Sequence, residues 1–254
     1  LAFVADGDSG LQVIDVGDSV NPSIVGSANI PGFAHNVAVS GDLAFMAIAN
    51  LESNDGALAV IDVGEPENPN LIGSVNTPGD VVDVAVSGEL AFVANENDGL
   101  YVIDVSNPED PTIAGSVDTP TGARGIVING DLAYVATYGG NFFGGTLKVI
   151  DVSDPANPII LGSSAELPND GDGVALAGDL TFVAGTSAGL QILDVSACQP
   201  CPADIDGTET VDVDDLLQLL SAWGSCADCP EDINNSDAVD VADLLQLLAA
   251  WGAC

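Results

Sequence analysis

Basic residues are almost missing from this sequence. Its 254 residues include 2 Lys+Arg against 39 Asp+Glu, which gives a formal net charge of −37. Nucleic acids and anionic membrane surfaces are bound through basic patches. Two cations cannot form such a patch, so the composition excludes nucleic acid as a partner. No apolar run reaches the length of about 18 residues that a membrane-spanning helix needs, so we expect no membrane insertion.

The residues of familiar catalytic centres are also scarce. His35 is the only histidine, and no Gly-x-Ser-x-Gly motif is present. A single histidine without a partner at a recognisable spacing is poor evidence for a catalytic triad. The sequence therefore favours a protein without a catalytic site.

Hydrophobic residues are abundant, at 47%, and two series of strand-like segments repeat along residues 1–196. One series has the pattern Leu-x-Val-Ile-Asp-Val and begins at residues 11, 58, 100, 147 and 190. The other, Leu-Ala-Phe-Val and its variants, begins at residues 1, 43, 90, 132 and 180. Gly, Asn, Asp and Pro separate the segments, as is typical of short strands joined by tight turns.

Each period of 42 to 47 residues contains four β-rich segments, which in the second unit lie at about 34–40, 42–49, 57–63 and 70–75. Four strands in a period of this length predict the blades of a β-propeller. The fold class is therefore mostly β, with about five four-stranded blades. The first blade lacks its inner strand, and the last ends after its third strand at Val195. We expect an open sheet edge, and we interpret the chain, which begins at Leu1 within a strand, as a fragment or processed form.

The Val-Ile-Asp-Val and Asn-Pro pattern of residues 1–196 resembles the LVIVD-repeat family. The resemblance implies a propeller-like, surface-associated protein with no general catalytic role. It is specific for the fold and says little about function.

A different repeat, with a period of 28 residues, fills the end of the chain. Cys201–Asp206 is matched by Cys229–Asn234, and Val211–Gly224 is matched by Val239–Gly252. Leucines and a tryptophan recur in the longer match at helical spacing, and a glycine follows where the helix would end. We predict that residues 203–254 form a small all-α domain of two helices packed along their Leu/Trp stripes. Residues 197–202 form the linker.

An acidic segment of 12 residues precedes each predicted helix. An EF-hand loop places oxygen ligands for Ca²⁺ at positions 1, 3, 5, 7, 9 and 12. In the first segment these positions are Asp204, Asp206, Thr208, Thr210, Asp212 and Asp215. In the second they are Asp232, Asn234, Ser236, Ala238, Asp240 and Asp243. The sequence predicts two calcium sites; the alternative is two acidic turns that cap the helices.

Other positions of these segments partly follow the EF-hand pattern. Val211 and Val239 stand at position 8, where an apolar residue ties paired loops together. Position 6, usually glycine, is Glu209 in the first segment and Asp237 in the second. Position 12 is Asp in place of the longer Glu, and the Ser or Thr at position 5 removes a charge and weakens the predicted affinity.

The doubled loop–helix unit of residues 203–254 resembles a type I dockerin module. The resemblance implies two Ca²⁺ ions held by the residues given above, and docking onto a cohesin domain, often in polysaccharide-degrading assemblies. Many such modules carry Ser-Thr at loop positions 10 and 11. Here those positions are Val213-Asp214 and Val241-Ala242, which leaves the class of cohesin partner unassigned.

Five cysteines lie in or beside this module, at positions 198, 201, 226, 229 and 254. Two Cys-x-x-Cys pairs can bind zinc, but an extracellular location favours disulfides. Cys201–Cys226 with Cys229–Cys254 would close each repeat in the same way, whereas Cys201–Cys254 would join the ends of the module. With five cysteines, one must be left over, and we expect it to be Cys198.

One repeat position of the propeller varies while the framework around it is constant. Aligning the units at the entry to the inner strand places His35, Val82, Arg124 and Asp172 at equivalent positions, followed by Asn36, Asp83, Gly125 and Gly173. We expect these residues to surround one mouth of the central channel, with His35, Asn36, Asp83, Arg124 and Asp172 as candidate ligand contacts. The alternative is a set of unrelated loop-end residues.

The repeated aspartates at 15, 62, 104, 151 and 194 follow strands and precede turns, so we expect turn hydrogen bonds there.

Three functions remain open. The favoured one is a non-catalytic, extracellular or cell-surface propeller that binds a carbohydrate or another surface ligand and is tethered to a cohesin-type domain. The second is an enzymatic component of a polysaccharide-degrading system, active at the channel mouth or in sequence before Leu1. The third is a structural adhesion protein whose C-terminal module is a calcium-stabilised anchor without a cohesin.

Overall fold

The computed structural model describes most of the repeat region and parts of the C-terminal region. The described residues are 1–50, 55–139, 144–164, 167–168, 170–178, 180–185, 189–195, 210–211, 213–221, 223–225, 238–249 and 252–253. The chain divides into two compact units, Leu1–Leu193 and Asp194–Cys254.

The first unit is built from five antiparallel sheets that follow one another along the chain. Sheet 1 contains β1 (Ala2–Ala5), β2 (Leu11–Asp15) and β3 (Ser23–Ala28). Sheet 2 contains β4 (Phe33–Ser40), β5 (Leu43–Asn50), β6 (Asp55–Asp62) and β7 (Asn70–Pro78). Sheet 3 contains β8 (Val81–Ser87), β9 (Leu90–Asn95), β10 (Gly99–Asp104) and β11 (Thr112–Val117). Sheet 4 contains β12 (Ala123–Asn129), β13 (Leu132–Thr137), β14 (Leu147–Asp151) and β15 (Ile159–Ser163). Sheet 5 contains β16 (Gly171–Ala177), β17 (Leu180–Gly185) and β18 (Gly189–Asp194).

Glycine fixes the first hairpin of sheets 2 to 5. In sheet 2, Ser40 pairs with Leu43, so Gly41 and Asp42 form a two-residue turn. A turn this tight between twisted strands needs a residue with positive φ. Glycine occupies that position in four sheets, with φ of 58° at Gly41, 58° at Gly88, 57° at Gly130 and 60° at Gly178. The recurring Gly-Asp and Gly-Glu pairs of the sequence are therefore hairpin turns.

Consecutive sheets pack face to face, and the first strands of sheets 2 to 5 contact one another in order. Between sheets 3 and 4, for example, Leu100 and Val102 of β10 pack in one cluster with Val135 and Ile150 of sheet 4. All four side chains are fully buried. Each such burial stabilises the fold by about 1.5–3 kcal/mol, so the interfaces between sheets form the core of this unit.

The strand count follows the sequence-based prediction. The sheets have three, four, four, four and three strands within the described residues, and the order β1–β2–β3 leaves sheet 1 without an inner strand. Sheet 5 ends at its third strand, β18. Its Leu190 and Ile192 are 61% and 57% exposed, whereas the equivalent Leu100 and Val102 of sheet 3 are 0% exposed. Among the described residues, the last sheet therefore presents an exposed apolar face.

The C-terminal unit contains two helices of nine residues, α1 (Val213–Ser221) and α2 (Val241–Ala249). Four two-residue strands accompany them: β19 (Thr210–Val211), β20 (Gly224–Ser225), β21 (Ala238–Val239) and β22 (Gly252–Ala253). The prediction of an all-α domain is therefore corrected, because segments flanking both helices pair as strands.

The pairing of these short strands differs from an EF-hand pair. We expected Val211 and Val239 to tie the two loops to each other. Instead Val211 pairs with Gly252, after α2, and Val239 pairs with Gly224, after α1. In each repeat, the segment after the helix thus pairs with the segment before the helix of the other repeat. The two repeats are therefore linked by two reciprocal strand pairs.

The predicted Leu/Trp stripes are only partly buried. The two helices contact each other, and the equivalent Leu219 and Leu247 are fully buried. Leu217, Leu220 and Trp223, with Leu245 and Leu248 of the second helix, are exposed. The prediction that the whole stripe packs between the helices was wrong, because two helices of this length cover only part of each other's apolar surface. Within the described ranges, no helix has both the length and the apolar character needed to cross a bilayer.

Candidate functional site

A β-bulge marks the same repeat position in four consecutive sheets. The register between the first and second strands shifts between Ala34 and Asn36, between Val81 and Asp83, between Ala123 and Gly125, and between Gly171 and Gly173. The residues at the bulges are those that the repeat alignment made equivalent: His35, Val82, Arg124 and Asp172. A bulge re-aims the side chain of the extra residue and is frequent beside binding sites.

The four bulge residues lie together. With Glu96, they line one recess of about 280 Å³, which we call the mouth recess. Residues from four different sheets thus meet at one end of the inner strands, as the alignment predicted for one end of a channel. Glu96 comes from the hairpin between β9 and β10 and was not singled out by the sequence analysis.

Arg124 occupies the centre of the charge pattern in this recess. Its Nη2 donates a hydrogen bond to Glu96 Oε1 at 2.6 Å, and its Nη1 donates to Asp172 Oδ1 at 3.0 Å. The guanidinium carbon lies 4.4 Å from the ring centroid of Tyr138, a distance typical of a cation–π contact. Tyr138 was also missed by the sequence analysis.

The ion pairs keep Arg124 charged. Burial by itself lowers the pKa of the guanidinium, but the hydrogen bonds to Asp172 and Glu96 outweigh it, so the net shift of the pKa is upward. The Nε atom is buried and has no hydrogen-bond partner among the described residues. Arg124 therefore has donor capacity beyond its two carboxylate partners.

His35 and Asn36 lie on the sheet 2 side of the recess. The His35 ring contacts the ring of Phe33, with centroids 4.9 Å apart and planes inclined at 56°. Asn36 pairs with Ala47 in the sheet and is exposed. Of these two predicted contacts, only His35 lines the recess, where it adds an aromatic ring beside Arg124 and its two carboxylate partners.

Asp83 follows the bulge of sheet 3 and connects two sheets. Its Oδ2 accepts a hydrogen bond from the backbone N–H of Ile126 in sheet 4 at 2.9 Å, and its Oδ1 accepts from Val84 N–H at 2.8 Å. Burial raises the pKa of this carboxyl from its ordinary 3.8 to about 6, although both hydrogen bonds oppose the shift. Asp83 thus lies behind the recess as a link between sheets.

The repeated aspartates at the ends of the third strands act in turns. The side chains of Asp15, Asp62, Asp104 and Asp151 each accept a hydrogen bond from the backbone N–H two residues later, at 2.8 to 2.9 Å. The predicted turn role is confirmed at these four positions, so they do not form a ring of free carboxylates.

Most predicted calcium ligands lie outside the described residues: Asp204, Asp206, Thr208, Asp212, Asp232, Asn234 and Ser236. Thr210 begins β19 and Ala238 begins β21, while Asp215 and Asp243 lie in the first turns of α1 and α2. Asp240 precedes α2, and its backbone carbonyl accepts from Leu244 N–H at 3.2 Å. Among the residues with a described placement, no three His, Cys, Asp or Glu side chains are grouped to share a metal ion. All five cysteines also lie outside these residues, so the disulfide schemes stay predictions.

Comparison with known families decides the classification of the repeat region. The LVIVD repeat model matches five successive stretches, at residues 1–30, 31–77, 78–119, 121–165 and 169–198. The chain belongs to the LVIVD-repeat family. Each matched LVIVD repeat corresponds to one of the five sheets, so the mouth recess is formed by residues from four repeats.

Solved structures similar to this LVIVD-repeat protein share its fold with little sequence identity. A computationally designed protein, Ika4, matches with a TM-score of 0.54 and 9% identity over 66% of this chain and 94% of that chain. A functionally unknown protein from Desulfotomaculum acetoxidans DSM 771 matches with a TM-score of 0.62 and 16% identity, over 76% of this chain and 61% of that chain. A chain of a mitotic checkpoint complex matches with a TM-score of 0.60 and 12% identity, over 78% of this chain and 59% of that chain. The LVIVD-repeat chain thus spans about three fifths of the length of the last two. No curated protein matches its sequence.

Proposed function

We propose that this LVIVD-repeat protein is a non-catalytic binding propeller at the cell surface or outside the cell. It takes a carbohydrate ligand at the mouth recess and is tethered by its calcium-dependent C-terminal unit. The observation that carries the proposal is the convergence of four bulge residues, one from each of four successive repeats, on a single recess.

The composition of the recess supports a polyhydroxylated ligand. Glu96 and Asp172 present carboxylate oxygens that accept hydrogen bonds from hydroxyl groups, and Arg124 supplies donors. His35 adds a ring surface against which the apolar side of a sugar can pack. The chain has 2 Lys+Arg residues and a single histidine. Arg124 and His35 both lie at this repeat position. Such placement is unexpected for a residue whose only task is solubility.

The charge of the recess also disfavours an anionic ligand. Glu96 and Asp172 outnumber Arg124, and the whole chain has a formal charge of −37. An anionic ligand would be repelled. A neutral sugar avoids that repulsion and still uses every polar group of the recess.

A glycan array followed by calorimetry tests this part of the proposal. Arg124→Gln removes the guanidinium from the recess, and the matched control Lys148→Gln removes the other basic residue, which bonds Ser163 Oγ away from the recess. We expect an oligosaccharide identified on the array to bind Arg124→Gln about tenfold or more weakly than wild type, equivalent to a loss of about 1.4 kcal/mol, and to bind Lys148→Gln unchanged. Equal losses in both variants, or no glycan bound by the wild-type chain, would contradict it.

The tether is proposed to be a dockerin-like module. Its two repeats fold alike, and the strand pairing makes each repeat dependent on the other. Residues 203–254 contain twelve carboxylates and no Lys or Arg, so cations are needed to offset their repulsion. The exposed Leu217 and Leu220, with their equivalents Leu245 and Leu248, offer apolar surface for a partner such as a cohesin-type domain.

Calorimetry of the full chain with calcium tests the tether. We expect two bound Ca²⁺ ions, one of which is lost in Asp204→Ala and the other in Asp232→Ala, with Asp110→Ala in the propeller as control. Circular dichroism should show loss of helix on chelation with EDTA. Unchanged helices in EDTA and no heat of calcium binding would overturn this assignment. Calcium binding without capture of a cohesin would favour the adhesion-anchor alternative.

A further inference from the structure

A second cavity of the repeat region lies against sheet 2 and shares no lining residue with the mouth recess. It has a volume of about 600 Å³, within the range of about 300–1,000 Å³ that small-molecule sites occupy. Ile30, Ile48, Ala57 and Ala59 belong to its apolar lining, and Asn50, Asp55, Asn76 and Thr77 are its polar lining. We call this cavity the Ala59 groove.

The Ala59 groove exists because repeat 2 has a small residue where the other repeats have long ones. The position of Ala59, the second residue of the Leu-x-Val-Ile-Asp-Val pattern, is filled in the other repeats by Gln12, Tyr101, Lys148 and Gln191. Ala59 therefore leaves unfilled, in repeat 2 alone, a space that longer side chains occupy at the equivalent place.

The equivalent side chain of the next repeat shows what shape this space accepts. The ring of Tyr101 packs on the hydrophobic cluster between sheets 2 and 3. Its hydroxyl donates a hydrogen bond to Asp98 Oδ2 at 3.4 Å. In repeat 2 the same place has no ring, and Asp55 lines the groove from the corresponding hairpin. In the groove, an aromatic ring with a hydroxyl group would therefore find apolar surface at Ala57 and Ala59 and a hydrogen-bond acceptor at Asp55.

A second, independent observation points to a polar group of a ligand. Thr77 is 2% exposed, and its Oγ1 has no hydrogen-bond partner among the described residues. The equivalent hydroxyl of the next repeat, Thr119 Oγ1, donates to Thr121 O at 2.6 Å. A buried hydroxyl without a partner costs about 1–3 kcal/mol, and a ligand hydroxyl in the groove can relieve that cost.

From these observations we propose that the Ala59 groove is a second binding site, for an aromatic ring that carries a hydroxyl group. The ring lies on Ala57 and Ala59, and its hydroxyl bonds Asp55 or Thr77. The same chemistry is offered by a free phenol and by a tyrosine side chain of a partner protein. The high negative charge of the chain disfavours ring ligands that carry a carboxylate or phosphate.

Fluorine NMR with para-fluorophenol and fluorobenzene as probes tests the proposal on the full chain. Wild type is expected to bind the phenol about fivefold or more tightly than fluorobenzene, since only the phenol uses the polar lining. Ala59→Tyr fills the groove with the side chain that repeat 3 carries, and should weaken phenol binding at least about tenfold. The control Lys148→Tyr introduces the same side chain in place of a long one at the equivalent position of repeat 4 and should leave binding unchanged. Asp55→Asn should reduce the preference for phenol over fluorobenzene.

Amide chemical-shift mapping on the wild type keeps the test decisive if Ala59→Tyr lowers the melting temperature. Shifts confined to Ala57, Asn76 and their neighbours are expected. Equal binding of both probes, shifts elsewhere only, equal effects of both tyrosine substitutions, or no binding at millimolar phenol would overturn the proposal.

A pentapeptide with a central tyrosine between glycines distinguishes a free phenol from a tyrosine side chain as the source of the ring. Tighter binding of the peptide than of the free phenol identifies a partner protein's tyrosine, and weaker binding identifies a free phenol.

Discussion

Sheets 3 and 5 have nearly the same sequence pattern and very different surroundings. Leu100 of sheet 3 is 0% exposed beneath sheet 4, whereas Leu190, at the same repeat position in sheet 5, is 61% exposed. The difference shows that these repeats do not carry a core of their own. Each sheet obtains its core from the sheet that follows, as is general for repeat architectures.

The largest expected effect comes from truncating equivalent leucines in the two sheets. Leu100→Ala should lower the free energy of unfolding by about 2–5 kcal/mol, because it leaves a cavity between sheets 3 and 4. Leu190→Ala should change it by no more than about 0.5 kcal/mol, since its side chain is mostly in water. Urea unfolding followed by circular dichroism measures both. Similar losses in the two variants would mean that sheet 5 is covered in solution.

A pH-dependent effect is expected at the interface between sheets 3 and 4, where Asp83 accepts from Ile126. Since burial raises the pKa of Asp83 to about 6, the folded state binds more protons than the unfolded state between about pH 4 and 6. The contribution of Asp83 to stability is therefore fully present below about pH 4 and is lost as the pH rises through 6. Replacement by Asn abolishes this titration.

The free energy of unfolding is measured from pH 4 to 7 for both proteins. As the pH rises, the value for Asp83→Asn should increase relative to that of the wild type by up to about 3 kcal/mol. The control Asp110→Asn removes a carboxyl at an exposed site, and the pH profile of Asp83→Asn is compared with it. A pH-independent difference for Asp83→Asn would show that this carboxyl titrates normally in the folded chain.

A smaller effect is expected from the glycines that follow the bulges in sheets 4 and 5. A Cβ on Gly125 would lie 2.9 Å from both Asp172 O and Gly173 Cα of sheet 5. A Cβ on Gly173, at the equivalent position, would meet only Ala184 Cβ, at 3.9 Å. We expect Gly125→Ala to cost about 2 kcal/mol of stability and Gly173→Ala to be nearly neutral. Thermal unfolding of the pair checks this, and a cost at Gly173 as large as at Gly125 would indicate a further sheet packed on sheet 5.

The strands of the repeat region could be predicted because turn chemistry and apolar alternation recur with the period of the sheets. The bulge residues were also predictable, since one alignment places His35, Val82, Arg124 and Asp172 in the same column. Glu96 and Tyr138 were missed because they belong to hairpins of different length. Both, however, directly follow the equivalent strand ends Asn95 and Thr137. An alignment anchored on the end of the second strand would have found them.

The C-terminal unit was predicted less completely for a physical reason. Helical spacing located α1 and α2, but the leucine stripe does not show which part of it faces the other helix. The reciprocal pairing of Val211 with Gly252 and of Val239 with Gly224 involves strands of two residues. Such short strands have no periodicity for a sequence pattern to reveal.

The central claim is that the mouth recess binds a ligand through residues contributed by four repeats. Its most direct test is a crystal structure of the full chain with the oligosaccharide that binds best on the array. We predict electron density for the sugar in the mouth recess against Arg124, with its hydroxyls bonded to Glu96 or Asp172. Sugar density elsewhere on the protein, with the Arg124 ion pairs unchanged and the recess holding only solvent, would contradict the claim.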